Sequence, residues 1–178
     1  YITKYLFYPP LYDVTTALYY LVLGANVFSV RLVAYTFGVL TVWLVFEYTY
    51  RVYSPRIALL TTIILASMPG YIVASRLALI ETMLMFFFSS SLFLFFLWTR
   101  TKNNKLLLLS VIATVLGIIA KYQAFISSII MLVSLMILWR KQITQKAKKF
   151  LILGLIATAV VSCMFLIIYQ QSVSEALG

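Results

Sequence analysis

Four charged residues of this sequence stand where charge is unexpected: Arg31, Arg76, Glu81 and Lys121. Each lies within or beside a long apolar run, where an ionisable side chain is costly and marks a functional site by default. The guanidinium of Arg31 or Arg76 offers a planar fork of donors suited to phosphate, and Lys121 brings a compact cation for the same anion. The Glu81 carboxylate could ligate a divalent cation, hold an arginine or orient a substrate hydroxyl. Spacing adds weight to Arg76 and Glu81. Five residues apart on a continuous helix, they would point about 140° away from each other and miss the i,i+4 geometry of a surface pair. If the chain turns within Ala74-Ser75-Arg76-Leu77-Ala78-Leu79-Ile80-Glu81, both can face one cavity. Plainer readings stand beside these: Arg31 snorkelling to headgroups, Arg76 as a loop residue, Glu81 favoured by a helix dipole, and Lys121 as a turn marker.

Other chemistries are excluded. With no histidine and one cysteine, Cys163, the chain contains no disulfide framework, His-based metal site, Ser-His-Asp triad or thiolate cluster of its own. Cys163, between Ser162 and Met164, reads as a small buried hydrophobe, and the phenylalanine runs at 86–88 and 93–96 read as lipid-facing or core bulk.

Helices that cross a membrane must position the charged residues. The 178 residues are 64% hydrophobic and only 10% charged, against roughly 25% charged in ordinary soluble domains, so a soluble globular domain is excluded. A helix needs roughly 17 to 25 residues to cross the hydrocarbon core. Apolar runs between polar punctuation predict spans at residues 29–50, 57–74, 79–98, 106–120, 122–139 and 150–169. The stretch from Leu11 to Leu23, with Asp13, Thr15 and Thr16, is too short and polar for a span and is expected to lie on the outer membrane surface. Pro9 and Pro10 bar a helix before Leu11 and so start it there. Ser54 and Pro55 together predict a helix start, with Ser as N-cap and Pro at the first helical position. The expected fold class is all-α, a polytopic transmembrane helical bundle of about six spans with an outer juxtamembrane helix. Residues 1–178 then form a single transmembrane domain, with 1–25 the end of an extracytoplasmic loop plus the juxtamembrane helix and 26–178 the bundle.

The formal net charge of +10 is mostly topology. Lys and Arg accumulate on the cytoplasmic side of spans. With the start of the chain outside, the inner ends carry Arg51, Arg56, Arg100, Lys102, Lys105, Arg140, Lys141, Lys146, Lys148 and Lys149. Against Glu47 this leaves +9 inside and +1 outside. The basic loops are expected to meet anionic lipid headgroups. No aromatic-interleaved basic groove points to a nucleic-acid partner. The outer side keeps the four charged candidates Arg31, Arg76, Glu81 and Lys121.

The order Tyr8-Pro9-Pro10-Leu11, Asn26 and Phe28 before Val30-Arg31-Leu32, Pro69 followed by Ser75-Arg76-Leu77-Ala78-Leu79-Ile80-Glu81, and Gly117 to Lys121 resembles the membrane glycosyltransferases of the GT-C superfamily. The closest likeness is to the protein O-mannosyltransferase and aminoarabinose-transferase branch, and it covers the chain to about Trp139. The resemblance implies a multi-pass integral membrane protein, in the plasma membrane if the source is prokaryotic. Its active site would face the extracytoplasmic side and move a sugar from a polyprenyl-phosphate donor to a protein, lipid or glycan acceptor. In that family an acidic catalytic residue precedes the PPL motif, so the catalytic carboxylate is expected upstream of Tyr1 and the chain would be the N-terminal half of the enzyme. By the same likeness Pro9 and Pro10 end the loop, Arg31, Arg76 and Lys121 contact phosphate or cavity, and Glu81 takes the place of an aspartate with a possible divalent metal. Tyr8 stands where relatives often carry a cation. The competing expectation is a transporter or lipid flippase for an anionic substrate, which would favour paired inverted repeats, and none is visible.

Overall fold

The computed structural model describes residues 10–138 and, beyond them, only positions 152, 156, 159 and 160. Pro9, Tyr8, the basic run from Arg140 to Lys149, Cys163 and all but those four positions of the span expected at 150–169 lie outside the described residues.

Among the described residues there is no strand. The helices are α1 (Leu11–Leu23), α2 (Val27–Val52), α3 (Pro55–Ser67), α4 (Pro69–Arg76), α5 (Glu81–Thr101), α6 (Asn104–Ala120) and α7 (Phe125–Leu138), with a short 3₁₀ turn at Tyr122–Ala124. Two are long and apolar enough to cross a membrane, α2 with 26 residues and α5 with 21. At 1.5 Å per residue they reach about 39 and 32 Å, against a hydrocarbon core of about 30 Å.

Local chemistry sets the helix ends. Gly24, at φ +79°, takes the left-handed conformation that closes α1, and its N–H donates to Tyr20 O at 2.9 Å. Asn26 then caps α2: its Oδ1 accepts from Ser29 N at 2.8 Å, and Ser29 Oγ donates to Gly24 O at 2.7 Å. The predicted start at Ser54 and Pro55 is present, with Ser54 Oγ accepting from Ile57 N at 3.4 Å.

One expected span is not a straight helix. The run at 57–74 bends by 64° between α3 and α4. Pro69 has no N–H to continue the ladder and forces the residue before it out of the helical region, and Met68 sits extended at φ −64°, ψ 122°. The 13 residues of α3 alone cover only about 20 Å.

The chain divides into two compact units that meet in sequence inside α5. In Leu11–Ser90, α2 packs against α1, α3 and α4. The buried residues on α2 are small or carry hydroxyls: Ser29, Val33, Ala34, Gly38, Thr41 and Thr49. Large side chains such as Trp43, Leu60 and Ile64 face outward. Helices in lipid gain little from burying apolar bulk between them and associate through close backbone approach instead. Gly38 shows this directly, since a Cβ there would stand 2.7 Å from Ser75 Oγ. Tyr71 of α4 donates its phenol to Gly38 O at 2.5 Å.

In the unit that holds the residues from Ser91 onward, a cluster of Phe95, Trp98, Leu107, Met131 and Leu135 is buried, with Leu92 and Leu106 packed against it. Ser110 Oγ donates to Ser91 O at 2.8 Å, joining α6 to α5. The α5–α6 turn runs through Lys102 at φ +56° and the N-cap Asn103, whose Oδ1 accepts from Lys105 N at 3.1 Å.

Candidate functional site

Three of the charged residues fall in the Leu11–Ser90 unit. Arg31 lies on the second turn of α2 and is exposed. Arg76 is the last residue of α4, also exposed, and Glu81 is the first of α5. The chain does turn between them: Leu77 is extended at φ −84°, ψ 133° and ends α4, and Leu79 N–H closes a tight bond on Leu77 O. Thr82 Oγ1 donates to Leu79 O at 3.0 Å, tying the turn to the start of α5. Pro10 is exposed immediately before α1. Lys121 belongs to the other unit, where it caps α6 and is half-buried, with its N–H on Gly117 O at 2.8 Å.

The two connections that carry this chemistry adjoin each other. An open hollow of about 400 Å³ is lined by Tyr20, Ala25, Asn26, Val27, Val30 and Ala78. The α1–α2 connection, one turn from Arg31, therefore shares a concavity with the turn that separates Arg76 from Glu81.

Glu81 is half-buried, with its Oε2 shut off from solvent, and its charge is felt at Tyr12 of α1. Burial, chiefly, raises the Tyr12 phenol above its ordinary value near 10, and the nearby Asp13, Tyr20 and Glu81 raise it further, while a side-chain hydrogen bond with Thr16 works the other way. Tyr12 therefore stays a protonated hydrogen-bond donor throughout the neutral range.

Reasoning from charged residues passes over Tyr12 and Thr16 of α1. A signal was present. Tyr12, Thr16, Tyr19 and Tyr20 recur at i, i+4, i+7 and i+8, a hydroxyl-bearing stripe on α1. Its opposite face, Val14, Leu18, Leu21 and Val22, is exposed and apolar. The stripe faces α2, where Tyr19 Oη donates to Thr36 Oγ1 at 3.0 Å.

Among the described residues no three His, Cys, Asp or Glu side chains gather.

Helices of this length and apolarity define an integral membrane protein of the all-helical class. The family model for dolichyl-phosphate-mannose-protein mannosyltransferase matches residues 1–173, and the chain belongs to that family of membrane glycosyltransferases that use dolichyl-phosphate sugar donors. No curated protein and no solved structure matches it.

Proposed function

We propose that the protein transfers mannose from a dolichyl- or other polyprenyl-phosphate carrier to a hydroxyl of an acceptor protein, at the extracytoplasmic face of the membrane that it crosses several times. The family match over residues 1–173 carries this reading. The charge arrangement supports the orientation, since the bases at the α2–α3 turn and the α5–α6 turn, Arg51, Arg56, Arg100, Lys102 and Lys105, fall on the cytoplasmic side under the positive-inside rule.

In the proposed reaction the acceptor oxygen attacks the anomeric carbon, and the bond from that carbon to the carrier phosphate breaks through an oxocarbenium-like transition state. The acceptor proton passes to an acidic residue of the kind that the family carries ahead of the PPL motif, and the phosphate leaves with the bonding electron pair. Negative charge grows on that phosphate, and cations aimed at it stabilise the transition state more than the ground state. Arg31 and Arg76 of the Leu11–Ser90 unit take this role, Lys121 of the other unit meets the carrier phosphate as a contact of its own, and Pro10 starts α1. Glu81 orients the acceptor hydroxyl.

The test uses the intact protein in sealed vesicles with dolichyl-phosphate-[³H]mannose and a Ser/Thr-rich peptide on one side or the other. Label on the peptide from the extracytoplasmic side alone is the expected result. Donor that crosses the bilayer with no label on the peptide would favour a flippase and contradict the proposal.

A further inference from the structure

Arg76 is carried by α4, a helix of only 8 residues whose position its chain neighbours do not dictate. The backbone is extended at both of its ends, at Met68 with φ −64°, ψ 122° and at Leu77 with φ −84°, ψ 133°. The axis of α4 is bent 64° from that of α3. With no unbroken hydrogen-bond ladder running into α3 or α5, the packed face of α4 must decide where it lies.

That face is narrow and meets α2 at one place. The buried residues of α4 are Tyr71 and Ser75, 8% and 9% exposed, four apart and so on one side of the helix. Tyr71 Oη donates to Gly38 O at 2.5 Å, in a buried bond. Ser75 Oγ stands 2.7 Å from the point that a Cβ of Gly38 would take. Gly70, beside Tyr71, shows the opposite, since a Cβ there would meet nothing within 4 Å.

Arg76 follows Ser75 directly, about 100° further round α4, and is exposed. A shift of α4 along α2 therefore carries the guanidinium with it, and a misplacement of about 1 Å at a reacting centre can cost about a hundredfold in rate. The phenol holds this register without being needed to satisfy α2. Gly38 lies within α2, and its carbonyl oxygen, with two lone pairs, accepts the phenol in addition to its helical bond. Loss of the phenol leaves no buried carbonyl unpaired, so it should affect the placement of α4 more than the stability of the protein.

We infer that Tyr71 is a positioning residue: its bond to the Gly38 carbonyl sets α4 on α2 and so holds Arg76 where the carrier phosphate departs. The inference rests on the glycosyltransferase reading and deepens it by naming what places one of its cations. Tyr71 touches neither substrate and acts through Arg76.

The experiment is a double-mutant cycle in the intact protein. It measures kcat and KM for dolichyl-phosphate-mannose, and the melting temperature, in wild type, Tyr71→Phe, Arg76→Ala and the two changes combined. Tyr71→Phe should melt near wild type and lower kcat about three- to tenfold with KM nearly unchanged, because the cation acts on charge that develops in the transition state. In the Arg76→Ala background the same change should lower kcat by less than about 1.5-fold, since the group that it positions is gone. A purely structural role would move both backgrounds alike. Gly70→Ala, on the same short helix, should keep the wild-type kcat. Equal losses in the two backgrounds, wild-type kcat in Tyr71→Phe, or a loss in Gly70→Ala as large as in Tyr71→Phe would overturn the positioning role and leave the glycosyltransferase reading standing. Wild-type kcat in Arg76→Ala would overturn the role of that cation and the positioning role with it. No transfer by the wild-type protein would overturn the glycosyltransferase reading first, and the inference with it.

Discussion

The two compact units solve helix packing differently. In Leu11–Ser90 the buried face of α2 is lined by Ser29, Val33, Ala34, Gly38, Thr41 and Thr49, so helix backbones approach closely and hydroxyls share the interior. In the unit beginning at Ser91, α5, α6 and α7 close instead on large side chains, Phe95, Trp98, Leu107, Met131 and Leu135. The first arrangement sets hydroxyls between closely approaching backbones. The second fills its interior with bulk, and serines and threonines there such as Ser110 and Thr114 bond backbone carbonyls, although Trp98 Nε1 and Ser128 Oγ are buried with no hydrogen bond among the described residues. Three of the four charged candidates, Arg31, Arg76 and Glu81, belong to the unit built by close approach.

If that contrast is right, the two units should break in different ways. The largest effect is expected at the bulky cluster: Phe95→Ala removes a fully buried ring and should cost about 3 kcal/mol through lost packing contacts and the cavity left behind. A melting experiment in detergent reads this, and Phe95→Leu should recover much of the loss. In the other unit the sensitive change adds volume. Gly38→Leu puts side-chain atoms where even a Cβ would stand 3.0 Å from Ser75 Cβ, and should cost about 1–3 kcal/mol. Because it pushes α4 off α2, it should also lower transfer through displacement of Arg76, which Phe95→Ala need not do. The smallest effect belongs to neither interior. Arg51 pairs with Glu47 one turn back on α2 but is 61% exposed, and Arg51→Ala should move stability by less than about 0.5 kcal/mol, and less still in high salt.

Much of the helical frame was legible from residue types alone. Pro10 and Gly24 bracket α1, Ser54 and Pro55 start α3, and Lys121 separates α6 from the 3₁₀ turn and α7, because caps and breakers act locally and carry their signal in one or two residues. The break at Met68 was less legible. An apolar run through Ile72 and Val73 reads as a continuing span, and hydropathy is indifferent to the missing N–H of Pro69 that bends it. In the site, charge drew attention to Arg31, Arg76, Glu81 and Lys121, since an ion near a membrane core has few innocent explanations. Tyr71 escaped the same reasoning because a hydroxyl on an apolar helix is ordinary until its partner is known. That partner is the Gly38 carbonyl of α2, which spacing does not reveal.

The central claim is that outer cations of this chain stabilise the phosphate that leaves during sugar transfer. Mannosyl transfer from dolichyl-phosphate-mannose, measured with Arg76→Ala and Lys121→Ala in the intact protein, tests it most directly. Removing a group that acts on developing charge should lower kcat about a hundredfold in each variant, with the melting temperature held near wild type, since Arg76 is exposed and Lys121 half-buried. Wild-type kcat in both variants would contradict the account.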